Sequence, residues 1–224
     1  ESTAKVYTDF TLFTSNKKVL NDISKIFNFF NANYKKYTYK YLKLSPFDTQ
    51  PFFTKMIKQE IKNAKNNLPA SIKIKLNNIT SYAMIRELYK AAKAGVKIKM
   101  IVRGICCLIP KNEKNIEVIS IVDRFLEHTR FFIFNNNGKN DTYISSADWM
   151  TRNLDNRVEV TCPILDVNIK NEINDIFNMY WSDNSKSRFI NNKVSNNYKT
   201  NLEKTRSLNA QHEIYNYYRL RIEK

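Results

Sequence analysis

Apolar residues recur along this chain with two periods, and each period predicts an element. From 16 to 31, Val19, Leu20, Ile23, Ile26, Phe27 and Phe30 fall at helical spacing, with Ser15 as a plausible cap. A second amphipathic helix is expected over 52–66 through Phe53, Met56, Ile57, Ile61 and Ala64, and a third over 81–94, closed by Gly95. Strict alternation over 71–76 (SIKIKL) predicts a half-buried strand with Lys73 and Lys75 on its outer face. Further strands are expected at 7–13, 41–45 (stopped by Pro46), 96–102, 116–121, 130–134, 142–145 and 157–161. Helices at 168–181 and 208–223 close the chain around a basic, weakly patterned tract at 186–206; 34–39 has the look of a linker, and no internal repeat is evident. Strand and helix alternate from 41 to 102, which argues for an α/β fold: a sheet covered by helices, with right-handed crossovers where strands are parallel.

Composition narrows the class. The chain has 224 residues, 42% hydrophobic and 13% aromatic, enough for a packed core and against a disordered basic tail. With three Gly and five Pro, collagen-like and Pro-rich scaffolds are excluded. No apolar run reaches the roughly 20 residues that a spanning helix needs. The net charge of +16 predicts attraction to polyanions without choosing among nucleic acid, anionic lipid, nucleotide and polyphosphate. Cys106, Cys107 and Cys162 form no C-x-x-C pair; core packing in a reducing compartment fits them better than zinc. The chain starts at Glu1 without a signal sequence, which suggests a piece of something longer.

Two places could carry chemistry. In 123–157, His128 is followed by Arg130, a strand, a turn at Gly138, and a second strand delivering Ser145, Ser146 and Asp148. A hairpin would bring the His beside the Ser-Ser-Ala-Asp cluster. A proton-transferring imidazole, a guanidinium that neutralises phosphate and hydroxyls that donate hydrogen bonds suit phosphoryl chemistry. The plainer alternative is a buried histidine satisfied by a serine or aspartate. Arg103 and Gly104 follow the strand at 96–102, where ligand crevices of α/β sheets lie. There Arg103 offers a fork of donors and Gly104 lets phosphate near the backbone; a turn with a solvated Arg is the alternative. Arg152 and Arg157 are expected to pair with Asp148 and Asp155 at the surface, His212 to sit on the surface, and Tyr217 and Tyr218 to pack.

Several stretches resemble a known family: AKVYTD (4–9), KLNN (75–78), VRGICCLIP (102–110), NIEVISIVDRFLEHTR (115–130) and YISSADWMTRNLDNRVEV (143–160). Over nearly its whole length the chain resembles the C-terminal third of a class-1 polyphosphate kinase. The resemblance implies phospholipase D-like α/β domains, each a mixed sheet flanked by helices, with residues 1–40 ending the first C-terminal catalytic domain and 41–224 forming the second. It implies reversible transfer of the terminal phosphate of ATP to inorganic polyphosphate, through a phosphohistidine upstream of this chain and with Mg²⁺ accompanying ATP. Tyr7, Arg103 and His128 match the nucleotide-binding positions, and His128 would be the general acid or base. Arg130, Ser145 and Ser146 are candidate phosphate contacts, and metal ligands are not assigned. ATP, ADP and polyphosphate are the implied partners, with a homo-oligomer in the full-length enzyme and no specific nucleic acid. A cytoplasmic location is implied, with peripheral membrane association the alternative. Without the upstream histidine this piece alone is expected not to synthesise polyphosphate, and the loop at 110–115 is shorter than the family's. Two other readings compete. A phospholipase D-type phosphodiesterase would want two His-x-Lys elements where one His-x-Arg is present, and a non-catalytic polyanion-binding module would need only the charge.

Overall fold

The computed structural model describes residues 5–110, 113–193, 195–199 and 206–222. Two residues of the short 110–115 loop, part of the basic 186–206 tract and the start of the 4–9 motif therefore lie outside the described residues.

The elements run β1 (Tyr7–Thr8), α1 (Lys17–Asn31), β2 (Lys43–Ser45), α2 (Thr49–Lys65), β3 (Ser71–Leu76), α3 (Tyr82–Lys93), β4 (Lys97–Val102) and β5 (Ile116–Ile121). Then come β6 (Leu126–Glu127), β7 (Phe131–Phe134), β8 (Asp141–Ser145), β9 (Glu159–Pro163), α4 (Val167–Ser182), β10 (Ser187–Ile190) and α5 (Ala210–Ile222). Eight strands form one sheet in the order β10-β5-β4-β3-β7-β8-β9-β2. Within it β3, β4 and β5 are parallel, and the other pairings are antiparallel. The expected mixed sheet flanked by helices is what forms.

Both faces of the sheet are covered. Ile72, Ile74 and Leu76 of β3, with Phe132 and Phe134 of β7, pack against Phe53, Ile57 and Leu88 of α2 and α3. On the other face Phe131 and Ile133 meet Ile173, Ile176 and Phe177 of α4. This corrects the half-buried expectation for 71–76: Lys75 is 1% exposed, because α4 lies over the face that the alternation assigned to solvent. Pattern within a strand reports which side is apolar, not whether the polar side is later covered.

Local chemistry adjusts several boundaries. Asn16, not Ser15, caps α1, its side chain accepting from the Lys18 N–H at 3.0 Å. Ser81 caps α3 and Gly95 follows its end at φ +95°, a backbone that favours glycine. The strand expected at 7–13 shortens to Tyr7–Thr8 because β6 offers it two partners. The strand β10 emerges from the tract that carried no clear pattern, as an edge strand on β5.

The last turn of this design that matters for function is topological. The carboxyl ends of β3 and β4, the start of β7 and the end of β8 meet at one end of the sheet. There the loop after β3 is knitted to its neighbours: Gly104 N–H donates to Asn77 O (2.8 Å), and the Thr80 and Ser81 N–H groups donate to Trp149 O (both 2.9 Å).

Candidate active site

His128 follows β6, a two-residue strand outside the main sheet that pairs in parallel with β1. The pairing continues into the site, where His128 N–H donates to Thr8 O at 3.1 Å. One residue on, Asp9 Oδ2 lies 2.7 Å from His128 Nδ1. The Tyr7 ring meets the imidazole edge-on, with centroids 4.8 Å apart. A carboxylate on Nδ1 selects the Nδ1–H tautomer and leaves Nε2 as an acceptor, 3.4 Å from Arg130 NH1. The imidazole is about one-third exposed, at 31% of its side chain, so solvent and ligands reach it. No spacing pairs Asp9 with His128, 119 residues apart; only the YTD motif holds the residue.

Arg103 also arrives where it was expected, at the carboxyl end of β4. Its Nε donates to Glu127 O (2.7 Å) and to Asn77 Oδ1 (3.0 Å). Both hydrogen bonds use Nε, so the two terminal nitrogens carry none among the described residues. Gly104 has a different task from the one expected. A Cβ there would sit 2.6 Å from Asn78 Oδ1 and 2.9 Å from Asn77 O, so glycine allows the loop after β3 to pack against the loop after β4.

Arg130 is turned inward. Its Nε donates to Asp148 Oδ1 at 3.0 Å, and its NH1 donates to the His128 carbonyl at 3.0 Å and lies 3.4 Å from Nε2. Asp148 is 4% exposed and also accepts from the backbone N–H of Asn77 (2.9 Å) and Asn78 (3.2 Å) and from Asn78 Nδ2 (3.0 Å). The surface pairing expected of Asp148 with Arg152 or Arg157 is thus replaced by a buried pair with Arg130; Arg152 and Arg157 are exposed.

Ser145 and Ser146 line a cavity of about 280 Å³ together with Asp9, His128 and Arg130. Their hydroxyls are engaged within the protein, Ser145 with Thr161 Oγ1 (2.8 Å) and Ser146 with the Glu159 carboxylate. The cleft therefore gathers His128, Arg130 and both serines at one end of the sheet, while Tyr7 packs on the imidazole and Arg103 holds the carbonyl of the preceding Glu127, with Asp9, Asn77 and Asp148 fixing the group. Elsewhere, His212 is exposed as expected, and Tyr217 and Tyr218 bond Asp175 and Glu172 of α4 (3.2 and 2.7 Å). Cys106 is half-buried but Cys107 is exposed, against the expectation that both pack in the core.

Known proteins share this frame. A family model described as polyphosphate kinase C-terminal domain 2 matches residues 42–211. The chain belongs to the polyphosphate kinase family. The model for polyphosphate kinase C-terminal domain 1 matches residues 1–36, so the Tyr7–Asp9 side and the His128 side of the cleft fall in different family models. Polyphosphate kinase of Salmonella typhimurium is 43% identical over 220 residues, 97% of this chain and 32% of the relative; that of Escherichia coli K12 is 42% identical over the same span. The chain spans about a third of the length of the curated polyphosphate kinases it matches. The crystal structure of polyphosphate kinase from Porphyromonas gingivalis superposes with a TM-score of 0.95 at 38% identity, covering 100% of this chain and 35% of that one. A phospholipase D family member, Nuc from Salmonella typhimurium, aligns more loosely, with a TM-score of 0.49 at 13% identity over 67% of this chain.

Proposed function

We propose that the chain is the C-terminal part of an ATP:polyphosphate phosphotransferase. Residues 1–40 end its first C-terminal catalytic domain and 41–224 form the second. The observation that carries this reading is the His128 constellation: an imidazole fixed through Nδ1 by Asp9, touched by Tyr7, with Arg103 alongside. In this reading the bond between the β–γ bridging oxygen and the γ-phosphorus of ATP breaks as a bond forms to a histidine supplied upstream of this chain. The phosphoryl group then passes to a terminal oxygen of polyphosphate, and the sequence reverses in the other direction. His128 Nε2 faces the transferring group as proton donor or acceptor, and Asp9 stabilises the imidazolium that forms. The terminal nitrogens of Arg103 hold phosphate oxygens, where charge builds in the transition state. Tyr7 packs at the nucleotide. Arg130, Ser145 and Ser146 shape the wall of the cleft; their donors are mostly committed to protein acceptors.

The carboxylates here do not fit a Mg²⁺ site. Asp9 is engaged by His128, Asp148 by Arg130 and two asparagines, and Glu159 by Ser146 and Asn153. No group of three or more His, Cys, Asp or Glu side chains among the described residues could hold a metal. No step is therefore routed through the ion on this chain, and Mg²⁺ enters as the partner of ATP. No helix among the described residues is long and apolar enough to cross a membrane. A cytoplasmic homo-oligomer acting on ATP, ADP and polyphosphate is the assembly proposed.

Turnover of the full-length enzyme with ATP and polyphosphate tests the reading. His128→Ala should cut it by orders of magnitude, and near-normal turnover would refute the role. Calorimetry of Mg·ATP on the 224-residue chain and its Arg103→Ala form asks separately whether this part binds nucleotide by itself.

A further inference from the structure

The first residue of the KLNN stretch, Lys75, sits directly beneath the segment that carries His128. Lysine is almost never fully buried unless paired, yet Lys75 lies at the centre of the sheet at 1% exposure. Its ion pair and both of its hydrogen bonds run to the segment that brackets His128: the ion pair to Glu127 Oε2 (3.1 Å), and hydrogen bonds to Thr129 Oγ1 (2.7 Å) and Thr129 O (3.2 Å). The Tyr180 ring of α4 lies 4.9 Å from its ammonium. Glu127, 2% exposed, also accepts from Gln211 Nε2 of α5 (2.7 Å) and from Thr8 Oγ1 of β1 (3.2 Å). Its carbonyl is the oxygen that receives Arg103 Nε, and the next residue is His128.

This placement decides what the pair does. The strand β6 belongs to no part of the eight-stranded sheet; its ladder partner is β1, two residues long. Such a ribbon cannot hold its own position in water. Lys75 ties it to the most central strand, beside the weaker 3.3 Å link from Asn77 Nδ2 to the His128 carbonyl. Stability alone gives no reason for the pair, since a buried ion pair is often no better than apolar residues of the same volume. The charges facing Lys75 are Glu127, which favours its ammonium, and Arg103 and Arg130, which oppose it; burial is the largest influence and lowers its pKa. We infer that Lys75 and Glu127 are positioning residues of the proposed phosphoryl transfer, a buried clamp that sets His128 and Arg103 at the correct separation.

The inference rests on the function proposed above, and the experiment separates the two. In the full-length enzyme, Lys75→Met and Glu127→Gln are compared with the parent for kcat, KM for ATP, melting temperature and the rate at which diethyl pyrocarbonate modifies His128, read by mass spectrometry. Both variants should lose at least tenfold in kcat at temperatures where they remain folded, and the modification rate of His128 should change threefold or more. A pair with only a structural task would lower the melting temperature and leave kcat and His128 reactivity as they were. If Lys75→Met does not fold, Glu127→Gln, which keeps size and shape, carries the test. A folded variant with kcat and KM within twofold of the parent and unchanged His128 reactivity overturns the inference. If the parent transfers no phosphate between ATP and polyphosphate, the function falls, and His128 reactivity alone decides whether the clamp exists.

Discussion

Asp148→Asn probes the hub that joins the two asparagines to Arg130. The substitution keeps the size of the side chain and removes its charge. Two consequences follow from the geometry. Arg130, whose side chain is 12% exposed, loses its ion-pair partner and is left desolvated. The new amide NH2 also replaces one acceptor oxygen, so a donor must face Asn78 Nδ2 or the Arg130 guanidinium, both donors. Breaking a buried pair from one side costs about 3–5 kcal/mol. The remaining carbonyl can still accept from the Asn77 and Asn78 N–H groups, which places the expectation at the lower end, about 3 kcal/mol. For a chain of this size that lowers the melting temperature by about 6–12 °C. Calorimetric unfolding of the 224-residue chain measures it. Adding Arg130→Met should recover part of the loss, because the stranded guanidinium is then gone. A shift below about 2 °C for Asp148→Asn, or strictly additive losses in the double variant, would refute the reasoning.

Three other outcomes are expected. Burial pushes the Glu60 carboxyl up to about 7 despite hydrogen bonds from the Asn136 and Ser71 N–H groups, so the folded state holds this proton more tightly than the unfolded chain. Its stabilising contribution is full below the ordinary carboxylate range and lost as pH rises through about 7, and Glu60→Gln should flatten the stability profile by about 2–3 kcal/mol between pH 4 and 8. Gly104→Ala drives a Cβ to 2.9 Å from the backbone oxygen of Asn77, and should cost about 1–3 kcal/mol and weaken Mg·ATP binding through Arg103, read by calorimetry. Maleimide at pH 8 should label exposed Cys107 first, with Cys106 and Cys162 about a hundredfold slower because burial raises each thiol to about 11; equal rates in mass spectrometry would contradict this.

Legibility in the sequence followed the range of the interactions. Helices α2 and α3 and strands β3 to β5 were readable because their patterns are local and their caps chemical. The outer face of β3 was misread because its cover, α4, lies about a hundred residues later in the chain, and no alternation encodes that. β10 escaped notice because an edge strand needs no apolar period. In the site, His128 and Arg130 stood out because imidazole, guanidinium and hydroxyls shared one tract. Asp148 was visible but given the wrong partner: proximity in sequence favoured Arg152, whereas the fold brings Arg130 across the hairpin. Asp9 and Asn77 had no physical signal and stood out only as letters of the YTD and KLNN stretches, and the alternation put Lys75 on the wrong, solvent-facing side.

The strand β1 is short, and its Tyr7 and the preceding Val6 are 38% and 49% exposed, yet it brings both Tyr7 and Asp9 to His128. The strand itself buries little, and only Phe10 and Leu12 just after it pack against the core, so its detachment costs less than melting the eight-stranded sheet. The integrity of the His128 constellation and global stability are then separate quantities in this molecule. Mild denaturant should uncouple His128 from its carboxylate well before the core yields, and amide exchange at residues 6–9 should report that threshold while the sheet still looks native.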